Sequence, residues 1–158
     1  MTSASSEPLV SIVTPTIPGR EKLLLERCVP SVMQLDWPNI QHVIVSDRNP
    51  NAWWITVKEN LDEDLPSWTE SYDRWKRPTI TRSMPRRDLT FVQINESWRT
   101  PEAEACTGSV PWQIGCRLAL GEFVGFCGDD DELLPDHITR HVTAMRDAEA
   151  MFSISAVE

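Results

Sequence analysis

Four consecutive carboxylates, Asp129, Asp130, Asp131 and Glu132, are the side chains best suited to chemistry, and no basic residue is near them in the sequence. Adjacent like charges raise one another's pKa unless a cation or strong hydrogen-bond donors compensate. One or two carboxylates suit Mg²⁺ or Mn²⁺, which keep their other positions for water and substrate phosphate. The cluster therefore predicts a divalent-metal site. The alternative is a solvated acidic turn before the next helix.

Further candidate residues follow the first two predicted strands. Asp47 comes directly after the predicted strand 41–46, while Pro15 and Thr16 follow the predicted strand 9–14. Ligands of open parallel sheets bind beyond the carboxyl ends of the strands, and the acidic cluster is expected at the same edge. There, Asp47 can accept hydrogen bonds from a nucleobase or ribose, and backbone groups of Pro15 and Thr16 can frame the base.

Two of these candidates have competing interpretations. Asp47 could instead form an Asx turn with residues 48–50. Arg20 could bind a phosphate, or it could pair with Glu21 and Glu26 on its own helix. His137 and His141 stand four apart on a helix, but without further ligands nearby they are interpreted as a solvated helix face.

Apolar periodicity predicts an α/β fold, with a mostly parallel sheet and helices on both faces. Strands are predicted at 9–14, 41–46, 89–95 and 122–127, and helices at 21–33, 110–120 and 135–148. Pro30 costs about 3 kcal/mol inside a regular helix, so a kink or break is expected near Cys28 to Val29.

The chain of 158 residues fits one domain over residues 9–158, with a flexible N-terminus at 1–8. A helix at 51–61, a long loop at about 62–88 and a last strand at 152–157 complete the prediction.

Composition excludes several classes of protein. A net charge of −9 opposes nucleic-acid binding, which depends on neutralising phosphates with Lys and Arg. No membrane span or signal sequence is predicted, so we expect a cytoplasmic protein. The four cysteines have neither zinc-site nor disulfide-framework spacing, and no serine-hydrolase, P-loop or dinucleotide glycine motif is present.

Three segments together resemble the family 2 glycosyltransferases of the GT-A fold, which transfer sugars from nucleotide-diphosphate donors. They are Val-Ser-Ile-Val-Thr-Pro-Thr at 10–16, Val-Ile-Val-Ser-Asp at 43–47 and Gly-Glu-Phe-Val-Gly-Phe-Cys-Gly-Asp-Asp-Asp-Glu-Leu-Leu-Pro at 121–135. The resemblance spans about residues 9–157. It implies nucleotide-binding roles for Pro15, Thr16 and Asp47, and ribose and metal binding at Asp129 and Asp130.

The sequence departs from the family pattern at two places. The family's Asp-x-Asp motif usually begins where this chain has Gly128, so the metal contact falls on Asp130, with Asp129 or Asp131 assisting. Trp112 and Gln113 stand where the family often has Arg and Asn, which puts phosphate contacts there in question.

The resulting hypothesis is a glycosyltransferase with Mn²⁺ or Mg²⁺ and a nucleotide-sugar donor, for which UDP-sugar is preferred, and an unknown acceptor. It is inverting if it follows the family. The family's general base lies downstream of the acidic motif, so none is identified within these residues. The alternative is a non-catalytic nucleotide-sugar-binding module, or a subunit of a larger transferase with an oligomer or partner chain. A third hypothesis, a sugar-phosphate nucleotidyltransferase, is supported only by Gly19-Arg20.

Overall fold

The computed structural model describes residues 7–47, 69–72, 78–84, 87–94 and 109–155, which form a six-stranded sheet in the order β3-β4-β5-β2-β1-β6. The strands are β1 (Val10–Thr16), β2 (Ile40–Asp47), β3 (Thr69–Tyr72), β4 (Pro78–Met84), β5 (Arg87–Ile94) and β6 (Phe123–Phe126). Strands β5, β2, β1 and β6 are parallel neighbours. Strands β3 and β4 pair antiparallel with each other, and β4 pairs antiparallel with β5.

Helices cover both faces of this sheet. They are α1 (Glu21–Leu23), a π segment (Leu24–Cys28), α2 (Val29–Met33), α3 (Ser109–Leu118) and α4 (His137–Asp147). One buried cluster joins β1 and β2 to the π segment, α2 and α4, while a second joins the opposite face to α3. The predicted fold class, mostly parallel with helices on both faces, is therefore confirmed.

The predicted break near Cys28 to Val29 is replaced by the π segment. The amide of Val29 donates to the carbonyl of Leu24, five residues earlier, and the chain then continues directly into α2. Pro30 consequently lies in the first turn of α2, directly after the π segment. The wider π turn thus accommodates the proline without ending the helical path.

Several predicted boundaries differ in the structure. The predicted loop at 62–88 contains β3 and β4, whose polar sequences give no clear alternation. Residues 152–155 form no strand, and 156–158 lie outside the described residues. The predicted helix at 51–61 also lies outside them. Glu7 and Pro8, assigned to the flexible N-terminus, accept hydrogen bonds from the side chains of Asn39 and Trp37.

Two features hold α3 and the following strand on β1. A Cβ atom at Gly115 would lie 2.2 Å from Cγ1 of Val13, so only glycine allows this close approach of α3 to β1. The Ser11 hydroxyl donates to Gln41 at 2.6 Å, and it accepts from the amide of Gly121 at 2.9 Å. This buried network aligns β6, and therefore the acidic turn that follows it. No helix in the described part of the chain is long and apolar enough to cross a membrane.

Candidate functional site

The acidic turn begins where β6 ends, at the carboxyl edge of the sheet. The Cys127 amide donates to the carbonyl of Val13 at 3.1 Å, which extends the pairing of β6 with β1 up to the turn. The chain then reverses: the amide of Asp131 donates to the carbonyl of Gly128 at 3.2 Å, and the amide of Gly128 donates to Oδ2 of Asp131 at 3.1 Å. These reciprocal bonds make 128–131 a closed turn.

Arg20 connects the first loop to this turn. Its Nη1 donates to Oδ1 of Asp129 at 3.0 Å and to Oδ2 of Asp130 at 2.6 Å. Arg20 is the last residue of a β-turn that contains Pro18 and then Gly19, which has a φ of 87°. The amide of Arg20 closes this β-turn by a hydrogen bond to the carbonyl of Ile17. Proline second and a positive-φ glycine third are typical of a type II turn. The Pro-Gly pair therefore directs Arg20 toward the acidic turn.

Neither partner that the sequence offered for Arg20 is the one observed. Glu21 accepts a hydrogen bond from the amide of Gly19, and Glu26 pairs with Lys22. The carboxylates that Arg20 contacts are 109 and 110 residues away in the sequence. The alternative of pairing on its own helix is therefore wrong.

A second arginine forms an ion pair with the acidic turn. Nε of Arg27 donates to Oε1 of Glu132 at 2.6 Å. Arg27 lies in the π segment, and Glu132 is 105 residues further along the chain. No local pattern in the sequence pointed to this pair.

The two guanidinium groups reverse the electrostatic expectation for Asp130. Its pKa is lowered, first because it accepts a hydrogen bond from Arg20, whereas adjacent carboxylates without a compensating cation would raise one another's pKa. Four carboxylates against two guanidinium groups still leave a formal charge of −2 on residues 129–132 and their two partners. One divalent cation would neutralise that remainder.

The nucleotide candidates lie at the same edge. Parallel pairing places Thr16 opposite Ser46, so Asp47 lies one residue beyond that pair. Thr16, Asp47 and Asp129 are 1%, 2% and 6% exposed, respectively, and Pro15 is half-buried. The hydroxyl of Thr16 has no hydrogen-bond partner among the described residues. A buried polar atom without a partner is costly, and a bound ligand would remove that cost.

The turn's donor set fits a hard divalent cation bound together with a phosphate. Oδ1 of Asp130 and Oδ2 of Asp131 lie 3.1 and 2.7 Å from the position that a Cβ atom would occupy at Gly128. Both carboxylates therefore approach the space left by one glycine. Within the described ranges no three metal-binding side chains form a cluster. Mg²⁺ typically uses only one or two carboxylates, with phosphate and water completing its shell.

The remaining motif residues are not part of this cluster. The rings of His137 and His141 are 4.5 Å apart, and Nδ1 of His141 contacts the hydroxyl of Ser153. Burial is the main cause that lowers the pKa of His137, and the proximity of His141 adds to it. His141 thus has Ser153 as a polar partner, and both histidines are half-buried rather than fully solvated as the sequence suggested.

Trp112 and Gln113 line an open, mainly apolar cleft of about 540 Å³ beside the end of β6. Trp112 packs edge-to-face on Phe126, with ring centroids 5.1 Å apart. An indole and an amide here do not supply the charge that an arginine would offer a phosphate.

Solved structures share this fold, and one of them is a mannosyltransferase. TarS residues 1–349 from S. aureus match with a TM-score of 0.56 and 17% identity, over 89% of this chain and 32% of that chain. The same protein in complex with UDP gives a TM-score of 0.57 at 16% identity, over 89% and 32% of the two chains. The mannosyltransferase PcManGT from Pyrobaculum calidifontis, in complex with GDP-Man and Mn²⁺, gives 0.58 at 17%, over 89% and 33%.

These similarities establish the glycosyltransferase type of fold. The chain spans about a third of the length of those structures. Neither a protein-family model nor a curated protein matches the sequence.

Proposed function

We propose that this chain is the donor-binding part of a metal-dependent glycosyltransferase that uses a nucleotide-diphosphate sugar. The observation that carries the proposal is the junction of Arg20 with Asp129 and Asp130, beside the strand ends that carry Thr16 and Asp47. It brings together cationic, carboxylate and hydroxyl groups at the edge where open α/β sheets bind nucleotides.

Each residue has a distinct part in holding the donor. Asp47 accepts hydrogen bonds from the base or ribose, while Pro15 and Thr16 frame the base. Asp129, which is buried and held by Arg20, faces the ribose. Once the nucleotide is bound, the guanidinium of Arg20 pairs with a phosphate oxygen, because charged phosphate contacts of arginine are strong and directional.

Asp130 and Asp131 would hold the divalent ion, with Mn²⁺ or Mg²⁺ as candidates. Asp130 is the accessible member of the Arg20 pair, since its side chain is 48% exposed against 8% for Asp129. When bound, the ion would offset the charge that develops on the departing nucleoside diphosphate. A neighbour of the same fold is recorded with Mn²⁺ and GDP-Man, which supports this choice of cofactor and donor class.

A non-catalytic donor-binding module is the second candidate, and one observation favours it. In the structure, Arg20 engages Asp129 and Asp130, the backbone of Gly128 engages Asp131, and Arg27 engages Glu132. A general base must be within reach of the acceptor hydroxyl, and no carboxylate of this turn is assigned that task. Transfer of the sugar needs such a base, whereas donor binding does not.

Titration of UDP and GDP with and without Mn²⁺, followed by calorimetry, tests donor binding. We expect nucleotide binding that depends on Mn²⁺ and that Asp130→Ala abolishes. Asp147→Ala is the matched control, because Asp147 is an exposed aspartate at the end of α4. If Asp130→Ala and the unaltered protein bind the nucleotide equally well in the presence of Mn²⁺, the acidic turn is not the metal site.

Donor hydrolysis and transfer assays then separate the two candidates. Release of nucleoside diphosphate from a sugar donor above the level of Asp130→Ala supports the enzyme. Tight donor binding without any release supports the module.

A further inference from the structure

A pair of buried thiols lies directly behind the acidic turn. Sγ of Cys28 and Sγ of Cys127 are 3.8 Å apart, although the two residues are separated by 99 positions in the sequence. Cys28 is the last residue of the π segment, and Cys127 immediately precedes Gly128. The pair therefore connects the helix that carries Arg27 to the start of the acidic turn.

Polar groups surround Cys28, which is unusual for a cysteine that only fills a core. The hydroxyl of Thr14 lies 3.6 Å from its sulfur and 2.9 Å from Nε2 of His42. His42 is 1% exposed, and its Nδ1 has no hydrogen-bond partner in the described part of the chain. Cys127 continues the chain of contacts, because its sulfur lies 3.5 Å from the carbonyl of Gly128.

These contacts favour the thiolate form of Cys28. The hydrogen bond with Cys127 is the main cause that lowers the pKa of Cys28, and burial acts in the opposite direction. Thiolates are the nucleophiles in thiol oxidation. We assign Cys28 as the attacking residue because the Thr14 hydroxyl and the Cys127 thiol both contact its sulfur, and Cys127, which contacts the carbonyl of Gly128, as the resolving one.

The geometry points to an intramolecular disulfide between Cys28 and Cys127 that forms when the protein meets hydrogen peroxide. The Cys28 thiolate attacks a peroxide oxygen, the O–O bond breaks, and hydroxide leaves and is protonated to water. The sulfenic acid at Cys28 is then attacked by Cys127. The S–S bond forms, the S–O bond breaks, and the thiol proton leaves with hydroxide as a second water. Two thiols are oxidised and one peroxide is reduced.

Burial determines the rate of this reaction. Cys28 is 0% and Cys127 3% exposed, so peroxide reaches them only when the packing around the π segment opens locally. The exposed Cys116 therefore reacts earlier, but among the described residues it has no cysteine partner. The disulfide is expected as a slower second phase.

The bond acts on the acidic turn, a consequence that rests on the proposed function. Joining the sulfurs draws the π segment toward Gly128. The π segment contains Arg27, and Arg20 immediately precedes the helical stretch to which the segment belongs. A divalent ion must then compete with guanidinium groups that can no longer move away with their helix. The oxidised protein consequently binds Mn²⁺ more weakly than the reduced one.

The test uses the full chain with Cys106→Ser and Cys116→Ser, leaving the proposed pair. After peroxide treatment, mass spectrometry should detect the loss of two hydrogen atoms and a peptide joined through Cys28 and Cys127. The thermal midpoint should rise without reductant, because the bond closes a long loop in the unfolded chain. Cys28→Ser and Cys127→Ser in this background are the controls and should show neither change.

Two results would overturn the inference. Peroxide that yields only sulfenic or sulfinic acid at one cysteine, with no joined peptide, excludes the disulfide. Equal Mn²⁺ affinity of the oxidised and reduced forms excludes the link to the acidic turn. If Mn²⁺ binds neither form, the proposed function fails, whereas the disulfide is still decided by the mass and the joined peptide.

Discussion

Replacing Gly128 with alanine should separate metal binding from folding. A Cβ atom at this position would lie 2.7 Å from Oδ2 of Asp131 and 3.1 Å from Oδ1 of Asp130. Both atoms are ends of side chains and can rotate away. Gly19 is the glycine with positive φ among the described residues, so the backbone at Gly128 accepts alanine without strain.

The displacement decides the expected magnitude. Oδ2 of Asp131 must move by roughly 0.5 Å or more to reach an ordinary contact distance. Metal–ligand distances tolerate only about 0.2 Å. We therefore expect Mn²⁺ affinity to fall about 10- to 100-fold, the range seen when groups that orient metal ligands are removed. Folding should change little, because the gain of about 0.4–1 kcal/mol for Gly→Ala at a compatible position is offset by the weakened hydrogen bond, about 0.5–1.5 kcal/mol, between the amide of residue 128 and Asp131.

Calorimetric titration of Mn²⁺ in the presence of UDP measures the first quantity, and thermal unfolding measures the second. Leu134→Ala is the control, since Leu134 is 67% exposed in the same connection and contacts neither carboxylate through a polar group. If Gly128→Ala binds Mn²⁺ as the unaltered protein does while its thermal midpoint is unchanged, the two carboxylates do not form the metal site.

Three further outcomes are expected. Gly115→Ala should lower the free energy of unfolding by about 1–3 kcal/mol in urea titrations, because the added methyl overlaps the packed face of β1; normal stability would contradict the observed approach of α3. Asp47→Asn should weaken UDP binding about tenfold, as loss of a charged hydrogen bond predicts, and leave binding of Mn²⁺ alone unchanged; calorimetry measures both. Arg20→Gln should remove a pH-dependent contribution to stability. Arg20 lowers the pKa of folded Asp130, so this contribution is present above the unfolded pKa of about 3.9 and is lost as pH falls through the folded value. Urea unfolding at pH 7 should therefore distinguish this variant from the unaltered protein more than unfolding in acid does; a difference that is the same at both pH values would argue against the ion pair.

Periodicity was sufficient for the elements with a simple burial pattern. β1 and β2 are almost wholly buried, and the β-branched residues concentrated in both strands are visible in the sequence. β3 and β4 were missed because antiparallel pairing in this part of the sheet depends on neighbours rather than on an apolar run. The π segment was missed for a related reason, since Pro30 predicts a disturbance of the helix but does not determine which disturbance occurs.

The sequence by itself determined which strand ends carry the polar groups: parallel strands have a common direction, so Asp47 and the acidic turn had to meet at one edge. It also determined that the turn needs positive charge nearby. Only the tertiary structure decided where that charge comes from. Arg20 and Arg27 lie more than a hundred residues from their carboxylates, and long-range ion pairs leave no local pattern in a sequence. The proximity of Cys28 and Cys127 arose in the same way, because packing brings together side chains that the order of residues keeps apart.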